Sequence, residues 1–327
     1  MTCHPPRPSL FAALTGLALA VAGPAAAQDV TIGALYLDAQ GFYGGIKKGI
    51  ETGAGDQNIR LLGQNSQGDA SREAQFASTL ISSQVQAIIM SPVSAVASVP
   101  VVRQAFDAGI PVICYNTCIN DEDAQKYVQA LVTTDQVKLG YDVGVLAAEY
   151  FVEKGIDAPR FGILNCDVYE ACVQRKEGFK KAVEEKLPGV VWAADQAGFE
   201  PGKSTETATT MLTGDPEINA MFATTDNGTI GAVQGIGAAG RTGKVVVFGN
   251  DISAQLAQYL LNMPETLIAT NGQQPQEMGR VSVAMALKAV KREKIDTYLT
   301  IVPTELFPSS DPDKVKEWLT AHSDGIP

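Results

Sequence analysis

The stretch that comes nearest to a nucleotide-binding motif is residues 197–204, AGFEPGKS. It fits a relaxed phosphate-binding loop, in which backbone N–H groups cradle phosphates and a lysine neutralises them. The stricter pattern G-x-x-x-x-G-K-[ST] fails, because Ala197 stands where the first glycine is required. We therefore predict a turn that carries Phe199 and starts a helix near Lys203, not a nucleotide site.

Hydrolytic chemistry has no matching motif in the sequence. Neither HExxH nor G-x-S-x-G occurs. Of the two histidines, His4 lies at the extreme N-terminus and His322 in the C-terminal tail, so neither suits a Ser-His-Asp arrangement. We predict a protein that is not an enzyme and that uses no cofactor and no metal, with an exported hydrolase as the alternative.

The N-terminal segment has the composition of an export signal. Arg7 precedes an uncharged apolar run over residues 10–21, and a Gly-Pro pair then leads into Ala25-Ala26-Ala27. This order is typical of a secretory signal peptide, and the run is shorter than the roughly 20 residues that span a bilayer. We predict cleavage near Ala27, hence a signal peptide over residues 1–27 and a periplasmic mature protein.

The charge balance excludes one class of partner. The chain has 36 acidic against 25 basic residues and a net charge of −11, with no cluster of Lys and Arg. An acidic protein without a basic face is a poor partner for phosphates. We therefore expect no nucleic-acid binding.

Short apolar segments alternate with amphipathic ones along almost the whole chain, a pattern that predicts parallel sheets covered by helices on both faces. The fold class is α/β, with doubly wound parallel sheets. Predicted strands cover residues 30–37, 59–65, 85–91, 110–116, 128–133, 160–166, 190–195, 218–224, 244–250 and 267–271. Predicted helices include residues 70–84, 95–108, 136–154, 173–186, 229–238 and 276–292.

The order of elements repeats. One series of strand-helix units opens at residues 29–36 and another at residues 158–165, which suggests two similar lobes. We predict an N-terminal lobe over residues 28–134 plus 274–302 and a C-terminal lobe over 135–273 plus 303–327. Ligands of such sheets bind beyond the carboxyl ends of the strands, so both lobes should line one cleft.

Seven segments occur in the order and spacing of the periplasmic ribose-binding-like proteins: VTIGALYLDAQGFYGGIKKGIE, IIMSPVSA, IPVICYN, RKEGF, MFATTDNGTIGA, VVVFGND and TNGQQPQEMG. From Asp29 to about Phe307 the chain resembles this family of type I sugar-binding proteins of ABC transporters. The resemblance implies two lobes joined by a multi-strand hinge, a small neutral sugar or polyol as ligand, and delivery to the membrane permease of an ABC importer.

The positions that match the family's ligand contacts in the first lobe are Gln40, Phe42, Tyr43, Ser91, Asn116 and Thr117. Aromatic planes suit the apolar faces of sugars, and polar side chains suit their hydroxyl rims. Core packing at the start of a helix is the alternative for Phe42 and Tyr43. Pentose-binding members carry an Asp-Arg pair where this chain has Asn116-Thr117. That departure puts ribose itself in doubt and leaves a differently oxidised sugar, a deoxysugar or a short polyol open.

In the second lobe the matching positions are Arg175, Phe199, Thr225, Asp226, Asp251 and Gln273, the last at a crossover between lobes. Arg175 offers forked donors and Asp251 two acceptors, so together they could bracket vicinal hydroxyls. A helix N-cap is the alternative role for Asp226 and Asp251. We expect loss of Arg175 or Asp251 to weaken binding and to change stability far less. Asp135, where the chain crosses between lobes, is predicted to set hinge geometry.

Four cysteines follow the predicted leader, and an even number in an exported chain favours disulfides. We predict Cys114 with Cys118 and Cys166 with Cys172, since each pair flanks the end of a strand. The other two connectivities would tie the lobes together across the cleft and oppose its opening.

Two other functions are compatible with this fold. Sugar-responsive repressors share the core, but they carry a helix-turn-helix where this chain has its signal peptide. A sensor that reports its ligand to a membrane receptor would have the same sequence features as a transport protein. We expect a monomer.

Overall fold

A computed structural model of the protein describes residues 1–2 and 30–327. The predicted signal peptide, apart from its first two residues, lies outside the described part of the chain. Within that part no helix is both long and apolar enough to cross a lipid bilayer.

The first lobe is built on a six-stranded sheet with the strand order β11-β5-β4-β3-β1-β2. Its strands, numbered in chain order, are β1 (Thr31–Tyr36), β2 (Arg60–Asn65), β3 (Ala87–Met90), β4 (Val112–Tyr115), β5 (Ala130–Thr133) and β11 (Leu299–Ile301). Its helices are α1 (Gly41–Asp56), α2 (Ala70–Ser82), α3 (Val99–Asp107), α4 (Asp121–Tyr127) and α10 (Pro275–Val290).

The second lobe repeats this arrangement in a sheet with the order β12-β10-β9-β8-β6-β7. Its strands are β6 (Arg160–Asn165), β7 (Val191–Ala197), β8 (Ala220–Ala223), β9 (Val246–Asn250), β10 (Leu267–Gly272) and β12 (Glu305–Pro308). Its helices are α5 (Gln136–Glu153), α6 (Glu170–Lys186), α7 (Lys203–Gly214), α8 (Asp226–Ala238), α9 (Ala254–Asn262) and α11 (Pro312–Ala321).

The predicted α/β class and the two parallel-sheet lobes are confirmed, and each predicted strand has a counterpart. The central strands β3, β4, β8 and β9 are buried along their whole length, which is why they form continuous apolar runs. Two edge strands, β11 and β12, were not predicted. The second sheet also departs from the all-parallel expectation, because β12 pairs antiparallel with β10.

The chain passes between the two sheets three times. The crossings follow β5, β10 and β11, at residues 134–135, 273–274 and 302–304. The carboxyl ends of β1, β3 and β4 in one sheet, and of β6, β8 and β9 in the other, lead into loops beside these crossings. This arrangement puts the predicted ligand positions of each lobe on one edge of its sheet.

Helices α5 and α6 pack with their backbones in contact. A Cβ at Gly140 of α5 would lie 1.8 Å from the carbonyl oxygen of Arg175, and one at Gly178 of α6 would lie 2.0 Å from that of Val137. Any side chain at either position would overlap a main-chain atom. The two glycines therefore fix how closely Arg175 approaches the start of α5.

We expect Gly140→Ala to destabilise the protein by about 1–3 kcal/mol, because a new methyl group must separate two packed helices. Chemical denaturation measures the loss. Gly237→Ala, in α8, is the matched control, since a Cβ there meets no atom within 4 Å. It should be neutral or slightly stabilising, as alanine favours helix over glycine. Equal stability of the two variants would contradict the close approach of α5 and α6.

Candidate functional site

Four of the predicted first-lobe residues form one cluster at the carboxyl ends of β3 and β4. The Asn116 Nδ2 donates to the Tyr43 hydroxyl at 3.0 Å, and the hydroxyls of Ser91 and Thr117 lie 3.0 Å apart. Burial raises the pKa of Tyr43, so its hydroxyl stays protonated at neutral pH. The cluster thus presents neutral groups that can both donate and accept.

Asn116 is held in an unusual backbone conformation. Its φ is +60°, in the left-handed region, and the Thr133 hydroxyl donates to its carbonyl oxygen at 2.8 Å. The disulfide between Cys114 and Cys118, with Cα atoms 5.5 Å apart, encloses it. The structure confirms this predicted bridge.

The second predicted bridge, Cys166–Cys172, is also present, with a Cα separation of 5.4 Å. It encloses the loop between β6 and α6, which leads to Arg175 one turn of helix later. Each lobe therefore carries one short covalent loop beside the candidate site.

Gln40 and Phe42 stand at the start of α1. Gln40 is the N-cap residue, yet its side chain makes no capping hydrogen bond and is exposed. The rings of Phe42 and Tyr43 meet edge to face at 5.4 Å. Both are half-buried and pack against the lobe's apolar core. Core packing, the alternative role for these rings, therefore covers part of the surface of each ring. The rest of each ring stays accessible to a ligand.

In the second lobe Arg175 is the central group. It is buried, with 7% of its surface exposed. Its Nη1 donates to the Asp251 carboxylate at 3.0 Å and to the Thr224 carbonyl oxygen at 2.9 Å, and its Nε donates to the Gln136 side chain at 2.7 Å. Within the described residues Nη2 makes no hydrogen bond to protein, so two strong donors stay available.

These contacts revise one expectation. A guanidinium that serves three acceptors inside the fold supports stability as well as binding, because its removal leaves buried polar groups unpaired. Truncation of Arg175 should therefore lower stability appreciably, contrary to the expectation from sequence.

Gln136 was not predicted from the sequence as a site residue. Its Nε2 donates to Gln273 Oε1 at 3.3 Å, and Gln273 Nε2 donates to Asp251 Oδ1 at 3.0 Å. With the two contacts of Arg175, these bonds close a ring of four side chains, Gln136, Arg175, Asp251 and Gln273, here called the hinge ring. Glutamine is a common residue in the first turn of a helix. The one sequence signal for Gln136 is its position next to Asp135, where the chain was predicted to cross between lobes.

Neither predicted carboxylate caps a helix. Thr225 caps α8 by accepting from the Gly228 N–H at 3.1 Å, and Ser253 caps α9. The N-cap alternative for Asp226 and Asp251 is therefore wrong: Asp251 accepts from Arg175 and Gln273 instead, and Asp226 Oδ1 accepts from the Asn227 N–H. Thr225, predicted as a ligand contact, has its hydroxyl oxygen engaged in capping and keeps its own proton to donate. Asp135, in turn, caps α5 by accepting from the Lys138 N–H at 2.9 Å.

Asp226 has a perturbed acidity. Burial raises the pKa of its carboxyl group, and the nearby charge of Asp251 raises it further, while Arg175 opposes the shift. A group whose pKa is higher folded than unfolded destabilises the fold once it ionises. At neutral pH the charge of Asp226 therefore lowers the stability of the fold. Ionisable groups with perturbed pKa values are frequent at functional sites.

Phe199 follows β7 in the turn predicted from sequence, and α7 begins at Lys203 as expected. The Phe199 ring meets Tyr169 edge to face, with centroids 5.9 Å apart. Tyr169 lies inside the Cys166–Cys172 loop with 59% of its surface exposed. Tyr169 was not predicted from the sequence as a site residue. Each lobe therefore offers an aromatic pair beside its polar cluster.

The sequence model of the periplasmic binding protein domain family matches residues 34–294 of this chain. The ABC transporter periplasmic-binding protein YphF of Escherichia coli (strain K12) is 37% identical over 320 residues, which cover 97% of this chain and 96% of that protein. The chain belongs to the periplasmic binding protein domain family. The D-allose-binding periplasmic protein of Escherichia coli (strain K12) is 28% identical over 293 residues, or 86% of this chain and 90% of that one.

Solved structures share the fold of this periplasmic binding protein domain. The ABC transporter periplasmic solute binding protein of Actinobacillus succinogenes 130z with bound D-allose superposes with a TM-score of 0.77 at 24% identity, covering 88% of this chain and 100% of that chain. An ABC transporter solute binding protein of Bacillus halodurans C-125 with bound myo-inositol gives 0.75 at 22% identity, covering 90% and 99%.

The two acidic residues of the site should respond oppositely to neutralisation. We expect Asp226→Asn to raise Tm at pH 7, because it removes a buried charge whose pKa is raised. The gain should shrink as pH falls through the raised pKa, where the wild-type carboxyl is itself protonated.

Asp251→Ala is the matched control for Asp226→Asn. Contrary to the expectation from sequence, it should lower stability by about 1–3 kcal/mol, since Arg175 and Gln273 each lose an acceptor. Thermal unfolding between pH 4 and pH 8 measures both. A lower Tm for Asp226→Asn at pH 7 would show that its charge stabilises the fold.

Proposed function

We propose that this protein captures a small neutral sugar or polyol between its lobes and presents it to the membrane permease of an ABC importer. The observation that carries the proposal is that each lobe has a polar cluster at its strand ends, beside an aromatic pair. A ligand that contacts both lobes biases an open-to-closed equilibrium toward the closed form.

The chemistry of the two clusters fits hydroxyl groups. The first lobe supplies neutral groups from Tyr43, Ser91, Asn116 and Thr117, with Gln40 and Phe42 beside them. The second lobe supplies the free Nη2 of Arg175 and the carboxylates of Asp226 and Asp251. A hydroxyl both donates and accepts, so it can satisfy donors and carboxylates at once.

The charge of the second-lobe cluster favours a neutral ligand. Two carboxylates surround one guanidinium, and a phosphate or carboxylate on the ligand would meet net negative charge in a partly buried site. Relatives support the ligand class. Besides the D-allose-binding protein, a ribose import binding protein of Bacillus subtilis (strain 168) is 28% identical over 255 residues, and a xylitol-binding protein of Mycolicibacterium smegmatis is 25% identical over 311.

We also propose a domain organisation, an assembly state and a location for the protein. We infer that residues 28–134 plus 274–302 and residues 135–273 plus 303–327 move as two lobes of a monomer that performs no catalysis and binds no nucleic acid. Export by a signal peptide cleaved near Ala27 places it in the periplasm. Val96 in the first lobe and Val168 in the second are exposed at 73% and 74%. Both follow strand ends beside the cleft, where a permease would contact the closed protein.

Isothermal titration calorimetry with a panel of pentoses, hexoses, deoxysugars, cyclitols and linear polyols tests the ligand class. We expect at least one neutral member to bind and sugar phosphates to fail. Tight binding of an amino acid, with no response to any sugar or polyol, would overturn the proposal.

Arg175 should carry a large share of that affinity. We expect Arg175→Ala to weaken binding of the best panel member by about 10- to 150-fold, the effect of about 1.5–3 kcal/mol for a charged hydrogen bond. Arg60→Ala is the control, because Arg60 is exposed at the amino end of β2, away from the cleft. Unchanged affinity in Arg175→Ala would place the ligand elsewhere.

A further inference from the structure

The hinge ring has a fixed direction of donation. A guanidinium only donates and a carboxylate only accepts. Arg175 Nε therefore requires Gln136 to present its amide oxygen, at 2.7 Å. The NH2 group of Gln136 then donates to the side-chain oxygen of Gln273, and the NH2 group of Gln273 donates to Asp251. Because the direct contact between Arg175 and Asp251 closes the ring, each amide has a single favourable orientation.

Gln136 also joins the ring to the backbone of the hinge. Its Nε2 donates to the carbonyl oxygen of Thr134 at 3.4 Å, inside the first crossing. Gln273 stands at the second crossing. One side chain of α5 therefore contacts the ligand-binding arginine, the first crossing and the second crossing.

The third crossing is linked to the same framework. Gln274 Nε2 donates to the Pro303 carbonyl oxygen at 3.1 Å, and the Thr304 hydroxyl donates to Asp142 of α5 at 3.4 Å. All three crossings are thus connected by side-chain hydrogen bonds. A rotation of one lobe against the other must move them together.

The first crossing contains an unsatisfied group. The Thr134 hydroxyl oxygen is buried and has no hydrogen-bond partner within the described residues. Such a group costs free energy unless it is paired, so the first crossing carries a polar group that the ring does not satisfy.

We propose that Gln136 is a positioning residue that couples ligand capture to lobe closure. It orients Arg175 toward the ligand and holds Gln273 at the second crossing, so a ligand that pulls on Arg175 and Asp251 acts on two crossings at once. The proposal rests on the proposed function only for its ligand. The ring itself is formed by protein side chains alone.

The first experiment uses no ligand. Gln136→Met keeps the side-chain length and removes every hydrogen bond, and Gln273→Met does the same one member further along the ring. If the ring acts as a unit, the double variant loses little more Tm than the worse single variant, because either change already breaks the chain. Additive losses of Tm overturn the ring.

The second experiment measures closure. Small-angle X-ray scattering follows the radius of gyration with and without saturating D-allose, D-ribose or myo-inositol, whichever binds the wild type most tightly. Gln136→Glu keeps an acceptor for Arg175 Nε and loses both amide donors. We expect it to bind that probe at least tenfold more weakly and to contract less than the wild type at saturation.

Asp311→Ala is the matched control, since it removes the cap of α11, where Asp311 accepts from the Lys314 N–H, without touching the ring or a crossing. It should lower Tm and leave the probe's Kd and the contraction unchanged. Full contraction of saturated Gln136→Glu, or affinity within twofold of wild type, overturns the coupling. If none of the three binds the wild type, the neutral panel member that binds most tightly in calorimetry replaces them. Failure of the whole panel overturns the proposed function and with it the coupling, and the ligand-free cycle then decides on the ring.

Discussion

A buried guanidinium persists in a folded protein only where acceptors surround it, and Arg175 imposes that constraint on this molecule. Its neighbours come from separate parts of the chain: the end of β8, the loop after β9 and the first turn of α5. Gln136 reaches it because Gly140 and Gly178 let α5 and α6 approach backbone to backbone. The packing of the second lobe therefore also determines the geometry of the candidate site.

Helix α5 receives support from the sheet as well. Asn250 at the end of β9 and Asn271 in β10 both donate to the Leu139 carbonyl oxygen, at 3.3 and 3.0 Å. Two buried amides thus fix the first turn of α5 on the strand ends, although their own side-chain oxygens have no partner within the described residues. The start of α5 is therefore held by the lobe it enters.

The sequence predicted what depends on local pattern. Buried parallel strands are continuous apolar runs, so all ten strands leading to the site were found. The edge strands β11 and β12 were missed because they are short and half-exposed, with sequences that resemble loops. Candidate ligand positions such as Arg175, in α6, and Asp251, after β9, followed from family resemblance. The partners of Arg175 did not, since a hydrogen bond over 39 residues between two side chains has no periodic signal. Tyr169 was missed for a related reason, because its exposure depends on the loop that a disulfide encloses.

The two disulfides have a consequence for how the protein matures. They span only 4 and 6 residues, so neither needs the distant segments that complete each sheet. A chain that emerges from an export channel N-terminus first could oxidise Cys114 and Cys118 before α10 and β11, which finish the same lobe, have been translocated. Oxidation is thereby independent of the order in which the two lobes assemble. A non-native bridge between lobes would need cysteines that emerge about 50 residues apart, so early local pairing protects the later docking of the C-terminal segments.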